Sequence, residues 1–176
     1  RILLGGRLAP PKRPDVALRA FAKARDSIPG AELYVLGAGP LREEAEALAA
    51  ELGVADVVHF LGSRDDVPEL LAQAECALLA SDYEGSPLAV AEAMAASVPV
   101  AATAVGGTAE LVRPGETGAL AAKGDSDGLA EALVAVLADP AVAARLGEEG
   151  RRDAERNLSL ASMVDRLAAL YERVSM

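Results

Sequence analysis

Short runs of consecutive apolar residues punctuate the chain: Ile2 to Gly5, Glu32 to Leu36, Val57 to Leu61, Cys76 to Ala80, Val98 to Ala102 and Gly118 to Leu120. Most lack the alternation of polar and apolar positions that marks a strand with one wet face. They read as strands covered on both sides. Between them the apolar positions recur at helical spacing. Asp15 to Ser27 lines up Val16, Leu18, Ala20, Phe21 and Ala24 and stops before Pro29 and Gly30. Leu41 to Leu52 separates Glu and Arg from Leu and Ala, with Gly53 as a stop. Val67 to Ala74, Pro87 to Ala96 and Ser126 to Ala138 follow, with a short helix after the Gly106-Gly107 turn. Pro140 opens a longer helical tail that breaks near Asn157. Strands alternating with helices through short connections predict the α/β class. The expected form is a doubly wound, Rossmann-like parallel sheet with helices on both faces, in one domain over residues 1–176 with a helical tail from about residue 140. In such a sheet the ligand sits beyond the carboxyl ends of the strands.

Composition narrows the ligand. Hydrophobic residues make up 52% of the 176 residues but aromatic ones only 3%, so the core is built from Ala, Val and Leu. A formal charge of −10 excludes a generic nucleic-acid surface, which needs a broad basic stripe. An anionic ligand must be held by a few local cations and by backbone N–H groups. Cys76 stands alone, which excludes an internal disulfide and a cysteine metal site and points to a cytoplasmic setting. No apolar run approaches the roughly 20 residues that span a bilayer. The chain begins directly in a strand, and we expect it to be part of a longer protein.

Four segments carry candidate chemistry. "VLGAGPLREE" (35–44) fits the first two glycines of a dinucleotide fingerprint, but Arg42 stands where the third should be. It reads as a tight strand-to-helix turn, still able to line a different nucleotide pocket. "GGRLAPPKRPD" (5–15) places Arg7 and Lys12 at the ligand end of the sheet, where they could clamp a diphosphate or simply be solvated. In "SDYEGSPLAVAEAMAA" (81–96), Ser86 is expected as a helix N-cap and Pro87 as the first helical residue. Leu88 and Ala89 then offer free N–H groups to an anion. Glu92 is the one polar side chain of this helix and is expected to be buried or pocket-lining. Unpaired burial would cost several kcal/mol, so it needs donors, from sugar hydroxyls or from a protein Arg. Glu84, taken alone, is an ordinary loop glutamate. "TAVGGTAELV" (103–112) adds a glycine turn and backbone donors beside the same place. His59, the one histidine, is expected to be structural. Asp65-Asp66 lacks a third ligand, and "GDSDG" (124–128) reads as a helix-start loop capped by Ser126 or Asp127 rather than a metal site.

"GRLAPPKRPDVALRAF", "LYVLGAGPLREE", "VVHFLGS", "SDYEGSPLAVAEAMAASVPVAATAVGGTAELV" and "GETGAL" together resemble, in order and spacing, the retaining GT-B glycosyltransferases of family 4. Glu84 and Glu92 reproduce that family's E-x7-E signature. The likeness is to its C-terminal, donor-binding half, one half of the GT-B fold; the acceptor domain lies N-terminal to it. It implies transfer of a sugar from a nucleoside-diphosphate sugar to an acceptor hydroxyl with retention, without a metal or other cofactor, by an enzyme of which this part alone is inactive. By the same resemblance, Arg7 and Lys12 bind the donor diphosphate, and Glu92 accepts from the ribose hydroxyls. Glu84 faces the transferred sugar. The backbone N–H groups of Leu88 and Ala89 meet the phosphates, Gly85, Ser86 and Pro87 belong to the same donor site, and Arg64 lies beside the base. The resemblance leaves open whether the full-length enzyme associates peripherally with a membrane. Many members have Phe-Gly in place of Ser86-Pro87 and Gly in place of Arg13. A nucleotide-sugar epimerase or a phosphorylase of the same fold, and a non-catalytic nucleotide-binding module, are the alternatives.

Overall fold

The computed structural model describes residues 1–174. Among them the chain forms six strands and eight α-helices in strict alternation up to the tail. The strands are β1 (Ile2–Gly5), β2 (Leu33–Leu36), β3 (Val58–Gly62), β4 (Cys76–Leu79), β5 (Val100–Thr103) and β6 (Gly118–Ala121). The helices are α1 (Pro14–Ala24), α2 (Arg42–Glu51), α3 (Val67–Leu71), α4 (Leu88–Ala95), α5 (Gly107–Leu111), α6 (Ser126–Leu137), α7 (Pro140–Asn157) and α8 (Leu160–Val174). All strand pairs are parallel, in the order β3-β2-β1-β4-β5-β6. The order reverses direction between β1 and β4, which opens a crevice there.

The continuous apolar runs follow from this two-sided cover. Ile2 and Leu4 of β1, Leu33 and Val35 of β2, and Cys76 and Leu78 of β4 point into one core with α1, α2 and α6. Their alternates Leu3, Leu36, Ala77 and Leu79 point into the other, with α3 and α4. Phe21 of α1 is fully buried, and burial of so large a side chain contributes about 2–3 kcal/mol. Cys76 lies inside the sheet, where burial pushes its thiol pKa up to about 12.

Several boundaries move. The predicted β5 begins two residues early, because Val98 N–H donates to Ala93 O and closes the turn after α4. Ser86 does not cap α4. The helix starts at Leu88 with Pro87 in the cap position, and no side chain bonds the first turn. The expected Ser126 or Asp127 cap of α6 is supplied instead by Asp125, which accepts from Asp127 N–H at 3.1 Å and Gly128 N–H at 2.9 Å. The tail does break at Asn157. Beyond it α8 buries no residue and displays Leu160, Leu167, Leu170, Tyr171 and Val174 along its length. Among the described residues no helix is long and apolar enough to cross a membrane.

Candidate functional site

The site lies where the sheet order reverses. Its floor is made of chain segments that approach one another too closely for side chains. Gly37 follows β2 at φ 128°, and a Cβ there would overlap the Gly6 carbonyl oxygen. Gly39 stands in the same relation to the Leu8 carbonyl. The backbone closes the contact: Leu8 N–H donates to Ala38 O and Leu41 N–H to Leu8 O, each at 3.0 Å. The two glycines of "GAG" therefore serve the approach of the β1 loop. Arg42, the residue that breaks the dinucleotide fingerprint, pairs with Glu46 at 2.8 Å on the surface of α2.

On the other side of the crevice, the loop after β4 is locked to the loop after β5. Gly106 has φ 41°, and a Cβ on it would overlap the Glu84 carbonyl oxygen. Gly107 N–H donates to that same oxygen at 3.0 Å. The hydroxyl of Thr103, at the end of β5, donates to Ser81 O at 2.7 Å.

Glu84 departs from the solvated loop residue its local sequence suggests, whereas Glu92 meets the pocket-lining half of its expectation and not the buried half. Glu84 is buried, with 7% of its surface exposed. Its Oε1 accepts from Lys12 Nζ at 2.5 Å and from Ser81 Oγ at 2.6 Å. Glu92 is exposed rather than buried, and it lines the lip of the cleft. Among the described residues it makes no ion pair. The reason lies in α4. Val90, Ala93 and Met94 face the core, whereas Leu88, Glu92 and Ala95 form an exposed stripe, with Leu88 70% exposed. A helix with one polar side chain is therefore not buried all round; its alanines sit on either face at little cost.

The cleft itself has a volume of about 310 Å³. Gly5, Gly6 and Gly37 form its inner end, Arg64 and Val67 one wall, and Ala89 and Glu92 the other. A separate small crevice, which shares Gly5, Gly6 and Leu79 with it, is lined by Arg7, Lys12 and Ser81. Arg7 is exposed and has no ion pair among the described residues, while Lys12 is taken up by Glu84. Arg64 folds back on Asp66, with contacts of 2.8 and 2.5 Å, which also accounts for one of the two adjacent aspartates. The N–H groups of Leu88 and Ala89 find no backbone acceptor among the described residues. Gly85 and Ser86 are exposed in the loop before them, and Pro87 is buried. A somewhat larger groove, about 400 Å³ between α1 and α2, is lined by Asp15, Glu44 and Glu51 and by no cation, so it is unsuited to an anion.

Sequence reasoning missed the neighbours that bind the pieces together. Ser81 and Thr103 are buried polar residues at strand ends. Asp82 accepts from Arg13 NH1 at 3.2 and 3.4 Å, and its own N–H donates to Pro11 O at 2.8 Å. Polar residues terminating wholly apolar runs were the available signal. His59 stands apart from the site: its ring stacks on Tyr34 with centroids 4.7 Å apart, 3.6 Å from the Glu32 carboxylate.

Parallel strands, a crevice at the reversal of strand order, a helix start with free N–H groups and two cations opposite it together define the ligand end of a Rossmann-like α/β domain. Residues 1–153 match the family described as glycosyl transferases group 1, and the chain belongs to that family. It is 39% identical over 157 residues to an exopolysaccharide phosphotransferase of Streptomyces coelicolor, covering 88% of this chain and 17% of that protein. It is 38% identical over 176 residues to the D-inositol 3-phosphate glycosyltransferase of Mycobacterium avium, covering 96% of this chain and 40% of that protein. The structure of HepE from Anabaena in complex with UDP superposes with a TM-score of 0.90 at 25% identity, over 98% of this chain and 48% of HepE. The chain therefore spans less than half the length of each of these relatives. Its fold is the Rossmann-like unit of GT-B glycosyltransferases.

Proposed function

We propose that this domain is the donor-binding half of a retaining, family 4 glycosyltransferase. The enzyme moves a sugar from a nucleoside-diphosphate sugar to an acceptor hydroxyl, with the acceptor held mainly by an N-terminal half. The observation that carries this reading is that the cleft lined by Arg64, Glu92 and the glycines adjoins, across Gly5, Gly6 and Leu79, a small crevice lined by Arg7 and Lys12. That set of neighbours suits base, ribose and diphosphate. The UDP and UDP-glucose complexes of HepE, which shares the fold, support it.

Each role follows from local physics. Base and ribose lie between Arg64 and Glu92, whose carboxylate accepts from the ribose hydroxyls. Cleavage of the sugar–phosphate bond builds negative charge on the departing diphosphate. Arg7, Lys12 and the Leu88 and Ala89 N–H groups stabilise that charge as it forms, with no metal in the scheme. Glu84 has one oxygen occupied by Lys12 and Ser81 and directs the other to hydroxyls of the transferred sugar. It orients the sugar and is not assigned as a base. Retention proceeds by attack on the face the diphosphate leaves, assisted by a phosphate oxygen, so no protein nucleophile is required. The setting is cytoplasmic.

Calorimetric titration of the chain with UDP, GDP and ADP tests the reading. At least one is expected to bind at about 1 mM or below. Silence from all three at that concentration rejects a donor site.

A further inference from the structure

Arg13 is one of two non-glycine residues with positive φ among those described, at φ 44° and ψ 57°. Glycine is the natural occupant of that region, and many members of the resembled family have it there. This chain accepts the less favourable residue, and its side chain is fully engaged. Nε and NH2 grip the Asp15 carboxylate at 2.9 and 2.8 Å, which fixes the guanidinium plane. That leaves NH1 directed at both oxygens of Asp82, at 3.2 and 3.4 Å. Asp82 N–H in turn donates to Pro11 O at 2.8 Å. Asp82 is thus fastened to the residues on both sides of Lys12, and it lies two positions before Glu84. The loop after β1 and the loop before α4 are zippered together around the Lys12–Glu84 pair.

We propose that Arg13 is a positioning residue, whose clamp on Asp82 sets Lys12 against Glu84 and so fixes the diphosphate end of the cleft. The proposal rests on the donor-site reading above. Arg13 touches no reacting atom; it acts through the loop. Arg13→Lys retains the charge but not the fork of donors, so it should not restore the clamp.

Three variants test it: Arg13→Gly, which relaxes the backbone and removes the clamp, Asp82→Asn, and the two combined. The first readout needs no ligand. Amide hydrogen exchange of Asp82 should accelerate at least about tenfold in each variant, while that of Ala77, bonded to Pro99 O inside the sheet, stays unchanged. The second is calorimetry with UDP, GDP or ADP, whichever binds the wild type most tightly, beside its own nucleoside. Diphosphate affinity should fall about fivefold with nucleoside affinity constant, and the double variant should be no worse than the singles. Unchanged Asp82 exchange in Arg13→Gly overturns the clamp. Faster exchange with full diphosphate affinity, or equal losses of diphosphate and nucleoside, overturns the positioning role. A wild-type chain that binds no diphosphate refutes the donor reading instead, and the clamp is then decided by the exchange data.

Discussion

Lys12→Ala separates two things that Lys12 does. In the free domain its ammonium neutralises Glu84, whose side chain is 8% exposed against 36% for Lys12. Removing one partner of a fully buried pair costs about 3–5 kcal/mol, because the survivor is left charged in a poor solvent. The exposure of Lys12 screens this pair, so the expected cost is nearer 1–2 kcal/mol. In a domain of this size that lowers Tm by about 2–8 °C. Lys123→Ala is the control: Lys123 is exposed and makes no ion pair among the described residues, so its removal should leave Tm within about 1–2 °C. Glu84→Gln in the Lys12→Ala background removes the stranded charge, and the double variant should regain part of the loss. Nucleotide binding supplies the second measurement. A charge-assisted hydrogen bond to phosphate contributes about 1.5–3 kcal/mol, and an unneutralised Glu84 would add repulsion. Diphosphate affinity should therefore drop about ten- to a hundredfold, with the nucleoside within about twofold. A Tm equal to the wild type, or no recovery in the double variant, refutes the stranded-carboxylate reasoning. Equal losses for diphosphate and nucleoside refute the phosphate role.

Other outcomes follow from the same geometry. Glu92→Gln should weaken ribonucleotides more than their 2′,3′-dideoxy analogues, with little change in Tm because Glu92 is exposed and has no ionic partner among the described residues; the reverse ranking in calorimetry removes it from the ribose. Gly106→Ala forces a side chain into the Glu84 carbonyl at φ 41°, and should cost about 2–4 kcal/mol in chemical denaturation and weaken diphosphate binding; a neutral result contradicts the close approach of the two loops. Asp15 is held below its ordinary 3.8, chiefly by its hydrogen bonds from Arg13. A lowered folded pKa adds stability that is present above 3.8 and lost as pH falls through the folded value. The gap in Tm between wild type and Arg13→Gly should therefore shrink on acidification below 3.8; a gap that widens there reverses the assigned sign.

Much of the fold was legible because both faces of the sheet are covered. Ile2, Leu3 and Leu4 are all apolar since adjacent side chains enter different cores, and the same holds for Cys76 to Leu79. The strand order was not legible: nothing in a four-residue apolar run names its neighbour, and only the register of β1 with both β2 and β4 places the crevice. Helix starts erred where loop anchoring outweighed local capping. Ser86 is a good cap by type, but the loop's backbone is already committed through Glu84 O to Gly107 N–H.

The two glutamates show where reasoning from burial fails and what replaces it. Alanine gains little from burial, so a helix rich in it looks buried whether or not it is; of the two places expected for Glu92, buried or pocket-lining, only the second holds. Glu84, taken alone, looked like an ordinary loop glutamate because the lysine that neutralises it lies 72 residues away. Long-range pairs of this kind leave no trace in local pattern. The exposure of Glu92 changes the argument for a ligand there without removing it. A buried unpaired carboxylate would have needed donors to survive. An exposed one on the lip of a cleft needs nothing, but its oxygens are open to whatever enters, since no ion pair within the described residues engages them. Glu84 is the carboxylate already committed, to Lys12 and Ser81. A diphosphate that engages Lys12 shares its three donors with that commitment. Within the proposed site, the phosphates and the sugar then meet the same ion pair, one from each side. Affinity for the diphosphate and orientation of the sugar should be coupled through Lys12, and replacing it should disturb both.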